Sequence, residues 1–342
     1  MAGEFKRAIV GLSTASSHGS RPCAYHLGPS VLRQYDRTAS VNWMRPITTS
    51  TRERIDSLIA LNRDVRLCTE SLLLQGRRFI FLSGDHSTAI GIWGGVMRAL
   101  AKTDRQLGLI WIDAHMDAHT TRSSPSGNPH GMPVAGLLGM HDPILKRIGD
   151  GQPTIKPEQI VLVGVHSYES IEKRHLDGLG VEYYMMSRVR QLGLRTILHR
   201  CWQKLLLHCD LVGISIDLDA IDPRDAPGVT VPVAHGIRLQ ELLQALAFMP
   251  TPAAIELSEY NPCADRNLKT MRSISLITQA VFNRSNSRRG FSDRVGSRAV
   301  GSTHRYHELP PIPLAASGLL KSSSAKPTAS NSVISLSCWR PG

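Results

Sequence analysis

Five short, nearly continuous apolar runs, each ending abruptly in polar residues, restrict what this chain can fold into more than any other feature. Three are Arg78–Leu82 before S-G-D-H-S, Leu107–Ile112 before D-A-H-M-D, and Ile160–Val165 before H-S-Y-E. The others cover 211–216, before D-L-D-A-I-D-P, and 254–257, before S-E-Y-N-P. Runs without polar alternation suit strands buried on both faces, as in a parallel sheet. Helical patterns lie between them. Ile90, Trp93, Met97 and Leu100 form one apolar stripe, and 51–75, 195–207, 238–249 and 267–282 read similarly. Alternating strands and helices predict a three-layer α-β-α sandwich around an open, mostly parallel central sheet. In such folds function gathers beyond the carboxyl ends of the strands, where the polar clusters fall.

Composition narrows the class further. The six cysteines show no C-x-x-C spacing, which argues against a disulfide framework or a zinc–thiolate site and for a reducing cytoplasm. The opening M-A-G-E-F-K-R-A-I-V-G-L lacks a signal-peptide pattern, and no run approaches the length of a membrane span. Of the net charge of +12, the 59 residues 284–342 supply +7, with nine Lys/Arg against two Asp/Glu. They include thirteen serines and no apolar period, and read as a basic, disordered tail after a catalytic domain at 1–283. Only that tail could support contact with nucleic acid, so the overall charge does not make a nucleic-acid binder.

The chemistry sits where the runs end. Asp113, His115 and Asp117 occupy alternate positions after one run, and would share one side if the strand geometry continued. Asp217 and Asp219 repeat the spacing after another, and His86 follows a third. Hard oxygen donors with a few imidazoles suit manganese or another octahedral divalent ion. Six ligands are too many for one ion that must keep room for water, but reasonable for two ions sharing carboxylates. Such a pair lowers the pKa of bound water towards about 7 and creates a nucleophile at neutral pH. No G-x-S-x-G elbow supports a serine mechanism. One Asp-x-His alone would read as a capping pair; the joint set does not, because clustered buried carboxylates without a cation are costly. His141, His175, His199 and His208 read as surface or helix residues, Trp93 and Met97 as core, and Gly94-Gly95 as a close-packing point.

Five motifs in order, S-G-D-H-S (83–87), D-A-H-M-D (113–117), S-G-N-P-H-G (126–131), S-I-D-L-D-A-I-D-P (215–223) and E-Y-N-P (259–262), resemble the ureohydrolase family, closest to its arginases, over residues 8–283. The resemblance implies two Mn²⁺ per chain, one held by His86, Asp113, Asp117 and Asp217, the other by His115, Asp113, Asp217 and Asp219. It implies that His130 shuttles a proton to the leaving amine and that Glu259 anchors a guanidinium. It also implies that His119, Ser124, Ser126 and Asn128 contact the α-carboxylate end of arginine, with Glu169 near the α-amino group. The reaction implied is hydrolysis of L-arginine to L-ornithine and urea by a cytoplasmic homo-oligomer, trimeric or hexameric. Agmatine or a guanidino acid is the rival substrate, a non-catalytic subunit the rival class, and a one-zinc deacetylase-type site the rival metal centre. Ser83, His119, His166, Val231 and His235 depart from the family pattern.

Overall fold

The computed structural model describes residues 7–12, 41–44, 51–151 and 154–282. Eight strands form one sheet: β1 (Arg7–Leu12), β2 (Val41–Met44), β3 (Arg78–Leu82), β4 (Leu107–Ile112), β5 (Ile160–Val165), β6 (Glu182–Met185), β7 (Leu211–Asp217) and β8 (Ala254–Ser258). Their order is β2-β1-β3-β8-β7-β4-β5-β6, and every neighbouring pair is parallel. All five apolar runs are therefore strands, and four of them, β3, β8, β7 and β4, lie side by side at the centre.

Side-chain alternation along these strands divides the core into two layers. Ile80, Ile110, Val161, Ile214 and Ile255 face one way, onto α6 (Met186–Leu192), α7 (Leu194–Leu205), α8 (Leu239–Phe248) and α9 (Lys269–Phe282). Phe81, Leu109, Trp111 and Leu162 face the other, towards α1 (Thr51–Leu74), α2 (Ala89–Ala101) and α5 (Ser170–Leu179). The short helices α3 (Pro133–Leu137) and α4 (Pro143–Gly149) extend that second layer. This is the three-layer sandwich expected. The tail at 284–342 lies outside the described residues.

Close packing of α1 on α2 depends on glycine. A Cβ at Gly95 would stand 1.9 Å from Thr69 Oγ1, and one at Gly91 would stand 2.4 Å from the Asn62 carbonyl. A third contact of this kind matters for the site. The Trp93 ring lies over Gly213 of β7, where an added Cβ would come within 2.2 Å of it. That seats the indole against the sheet directly beneath the polar ends of β7 and β8. Among the described helices none is long and apolar enough to cross a membrane.

Candidate metal centre

Each central strand delivers one part of the site as it ends. β4 runs into Asp113, β7 ends at Asp217, and His86 opens a short 3-10 turn two residues after Gly84, beyond β3. Nδ1 of His86 then lies 3.3 Å from Asp113 Oδ2, 3.1 Å from Asp117 Oδ2 and 3.0 Å from Asp217 Oδ2. Nδ1 of His115 lies 3.1 Å from Asp219 Oδ2 and 3.6 Å from Asp113 Oδ1. Two groups that could each hold an ion result, His86–Asp113–Asp217 and Asp113–His115–Asp219, with Asp113 common to both.

The six residues converge by a different route from the one their spacing suggested. β4 stops at Ile112, and Asp117 has a left-handed backbone, φ +50°. The convergence of Asp113, His115 and Asp117 is made by a turn rather than by strand alternation. Asp219 likewise sits in a 3-10 turn, its backbone N–H donating to Asp217 Oδ1 at 2.8 Å. Glu259, just past β8, is also left-handed, φ +66°. Non-glycine residues in this region cost about 1–3 kcal/mol each and cluster at functional sites.

Donor chemistry and burial fit divalent cations. The carboxylates and imidazoles are those that hard, octahedral ions take. Nδ1 of His86, Oδ2 of Asp117 and Oδ1 of Asp219 are buried without a hydrogen-bond partner. Without a cation, burial and then the neighbouring Asp113 carboxylate push the Asp117 carboxyl up to about 8. Burial and Asp217 raise Asp219 well above the usual carboxylate range. Burial opposes charging of His86 and His115, yet the surrounding aspartates outweigh it and raise both.

These shifts set the sign of a pH dependence. Below about pH 8 the native, metal-free chain keeps a proton on Asp117 that the unfolded chain releases near its ordinary value. His86 and His115 act in the same sense above their ordinary pKa. The native state therefore binds more protons than the unfolded one, and stability falls as pH rises. Metal-free protein is expected to melt lower at pH 8 than at pH 5.5. Loading with a divalent ion should reverse that order, because ligands must lose their protons to bind. Melting curves with and without chelator at the two pH values check both signs.

Around this cage the remaining candidates separate into two groups. Glu259 is buried, accepts the His86 backbone N–H at 2.8 Å through Oε1, and has that oxygen 3.3 Å from His130 Nδ1. Burial opposes the charged His130 ring, but Glu259, with Asp85 and Asp117 beyond it, raises its pKa to about 10. The Glu259 carboxylate thus favours the protonated His130 ring and positions it as a proton donor. The second group centres on His119, whose Nε2 is 3.1 Å from Glu169 Oε2 and 3.5 Å from Glu172 Oε2. Ser124, Ser126 and Asn128 shape the loop between the two groups. Ser124 Oγ accepts from Gly127 N at 3.0 Å, and Ser126 Oγ from Asn128 N at 3.2 Å.

Glu172 escaped the sequence reading because it sits within a charged helical stretch, I-E-K-R. It is buried, and its two oxygens accept the backbone N–H groups of Ala118 and Glu169 at 3.1 and 3.0 Å. Burial, and then the adjacent Glu169, push its carboxyl up to about 7.

An open parallel sheet with acidic and imidazole side chains gathered beyond its carboxyl edge defines a three-layer α/β protein with a candidate two-ion centre. The model of the arginase family matches residues 7–282. Arginase from Bacillus caldovelox is 38% identical over 224 residues, covering 65% of this chain and 74% of its own length. Its crystal structure superposes with a TM-score of 0.72 at 31% identity, covering 82% of this chain and 98% of that one. Entamoeba histolytica arginase, solved in complex with L-ornithine, gives a TM-score of 0.71 at 25% identity, covering 82% and 99%. The chain belongs to the arginase family, hydrolases of amidine C–N bonds.

Proposed function

We propose that this chain is a manganese-dependent arginase that hydrolyses L-arginine to L-ornithine and urea. The observation that carries the reading is the convergence of His86, Asp113, His115, Asp117, Asp217 and Asp219 into two groups sharing Asp113. His86, Asp113, Asp117 and Asp217 would hold one ion, and His115, Asp113, Asp217 and Asp219 the other. Bound there, two divalent ions would supply Lewis acidity and a water made nucleophilic near neutral pH.

The chain's own residues do the rest. Glu259 receives the planar guanidinium through paired, charge-assisted hydrogen bonds. His130, held cationic beside it, gives its proton to the departing amine. At the far end Glu169 and Glu172 face the α-ammonium, while His119, Ser124, Ser126 and Asn128 face the α-carboxylate. L-ornithine, the ligand of the Entamoeba arginase structure, is the product this reading assigns here.

Urea release by manganese-loaded protein, with arginine, agmatine and 4-guanidinobutyrate as substrates, tests the assignment. Arginine is expected to give the highest kcat/KM, since only it offers both the ammonium and the carboxylate. A higher value for agmatine would make the chain an agmatinase, and background release from all three would make it a non-catalytic subunit. The chain is further proposed to act in the cytoplasm as a homo-oligomer, trimeric or hexameric. Light scattering that returned the 37.6 kDa monomer mass would contradict that assembly.

A further inference from the structure

Beneath the cage, on the sheet face covered by α2, four buried side chains form an unbroken hydrogen-bonded chain. The Trp93 indole N–H donates to Glu256 Oε2 at 2.7 Å, and Ser215 Oγ lies 2.9 Å from the same oxygen. Ser215 Oγ is in turn 2.9 Å from Nε2 of His86, the histidine whose Nδ1 faces Asp113, Asp117 and Asp217. The other oxygen of Glu256 accepts from the Ser83 hydroxyl at 3.0 Å. Glu256 and Ser215 are fully excluded from solvent.

The direction of every bond in this chain follows from its first member. An indole N–H can only donate, so Glu256 Oε2 carries no proton on the side it turns to Trp93. As a carboxylate oxygen it accepts from Ser215 as well. A hydroxyl has a single proton. Once Ser215 gives that proton to Glu256, its oxygen can only accept from His86, which requires a proton on Nε2. Nδ1 is then the nitrogen left to offer a lone pair to a cation among the aspartates. This direction belongs to the carboxylate form of Glu256, to which Trp93, Ser215 and Ser83 all donate.

We infer that Glu256 is a positioning residue that, acting through Ser215, fixes the tautomer of His86 and so presents Nδ1 as the ligand atom of the metal centre. The inference rests on the two-ion reading above. Partners that orient a ligating histidine typically contribute 10- to 100-fold in metal affinity.

Manganese affinity, read by competition with a fluorescent chelator on the full chain, tests it, with a thermal melt on each variant. Glu256→Gln should stay within about twofold of wild type. Its amide oxygen can face Trp93 and Ser215 while its NH₂ group donates to Ser83. Glu256→Leu frees Ser215 to turn its proton towards Nε2 and stabilise the wrong tautomer, and should weaken binding by about 10- to 100-fold. In a Ser215→Ala background the same Glu256→Leu change should add no more than about twofold, since the link is already cut. Should Glu256→Leu not fold, Ser215→Ala carries the test: Trp93 and Ser83 still satisfy the carboxylate, and affinity should fall by about 10-fold or more.

Wild-type affinity in Glu256→Leu or in Ser215→Ala would overturn the inference. So would a Glu256→Gln variant as weak as Glu256→Leu, or a full Glu256→Leu loss in the Ser215→Ala background. A wild-type chain that takes up no manganese would overturn the metal centre itself, and this inference with it. A wild-type chain that takes up two ions while Glu256→Leu matches it overturns this inference alone.

Discussion

Replacing Asp113 by alanine is expected to empty both halves of the cage at once and to cut urea release by roughly a thousandfold or more, since the activated water is lost with the ions. Asp113 belongs to both candidate groups. One of its oxygens stands 3.3 Å from His86 Nδ1 and accepts the Trp111 indole N–H at 2.9 Å. The other stands 3.6 Å from His115 Nδ1 and accepts the His115 backbone N–H at 2.7 Å. Each oxygen is thus committed to a different half. Asp219 belongs to one group only, so Asp219→Ala should remove one ion and leave the other. Metal analysis after gel filtration checks the series: two ions per chain in the wild type, one in Asp219→Ala, and fewer than one in Asp113→Ala. Equal metal content in the two variants would deny Asp113 its bridging role.

Glu259→Gln is the second large effect. The variant keeps an oxygen to accept the His86 N–H, so the local backbone should hold. It loses the charge that a guanidinium would pair with. Truncating one partner of a buried charge pair costs about 2–5 kcal/mol, equivalent to roughly 30- to 5,000-fold in kcat/KM. The loss should be similar for arginine, agmatine and 4-guanidinobutyrate, because all three carry the same guanidinium. A second readout separates this from general damage. Glu259 is the nearest carboxylate raising the His130 pKa to about 10, so removing its charge should lower that pKa. If protonated His130 is the working form, the alkaline limb of the rate profile then moves to lower pH. An unchanged limb would mean that His130 does not act as the acid.

Much of this architecture is legible in particular residues before any coordinates. The runs I-F-L and L-I-W-I have no polar alternation because their strands are covered on both faces, and that property marks them as strands. β6, E-Y-Y-M, lies at the sheet edge and is only half-buried, so it carries no such signature. β1 and β2 are weakly marked for a related reason: β1, R-A-I-V-G-L, opens on a charge, and the four-residue β2 contains Asn42. The candidate metal ligands stand out by spacing, yet their convergence depends on left-handed backbone at Asp117, which spacing does not encode.

The clearest missed signal was Glu256. A charged residue inside A-I-E-L, in a strand expected to be buried on both faces, has to be hydrogen-bonded. Trp93 was assigned to the core on periodicity, and it is buried there, but its N–H needed a partner too. Those two unmet requirements, read together, would have pointed to each other.

Two cations held side by side among His86, His115 and the four aspartates are the physical basis of everything proposed for this chain. Diffraction from manganese-soaked crystals, recorded at the manganese absorption edge, tests that directly. Two anomalous peaks about 3.5–4 Å apart, both within bonding distance of Asp113, are the expected result. A single peak, or two peaks that do not share Asp113, would contradict it.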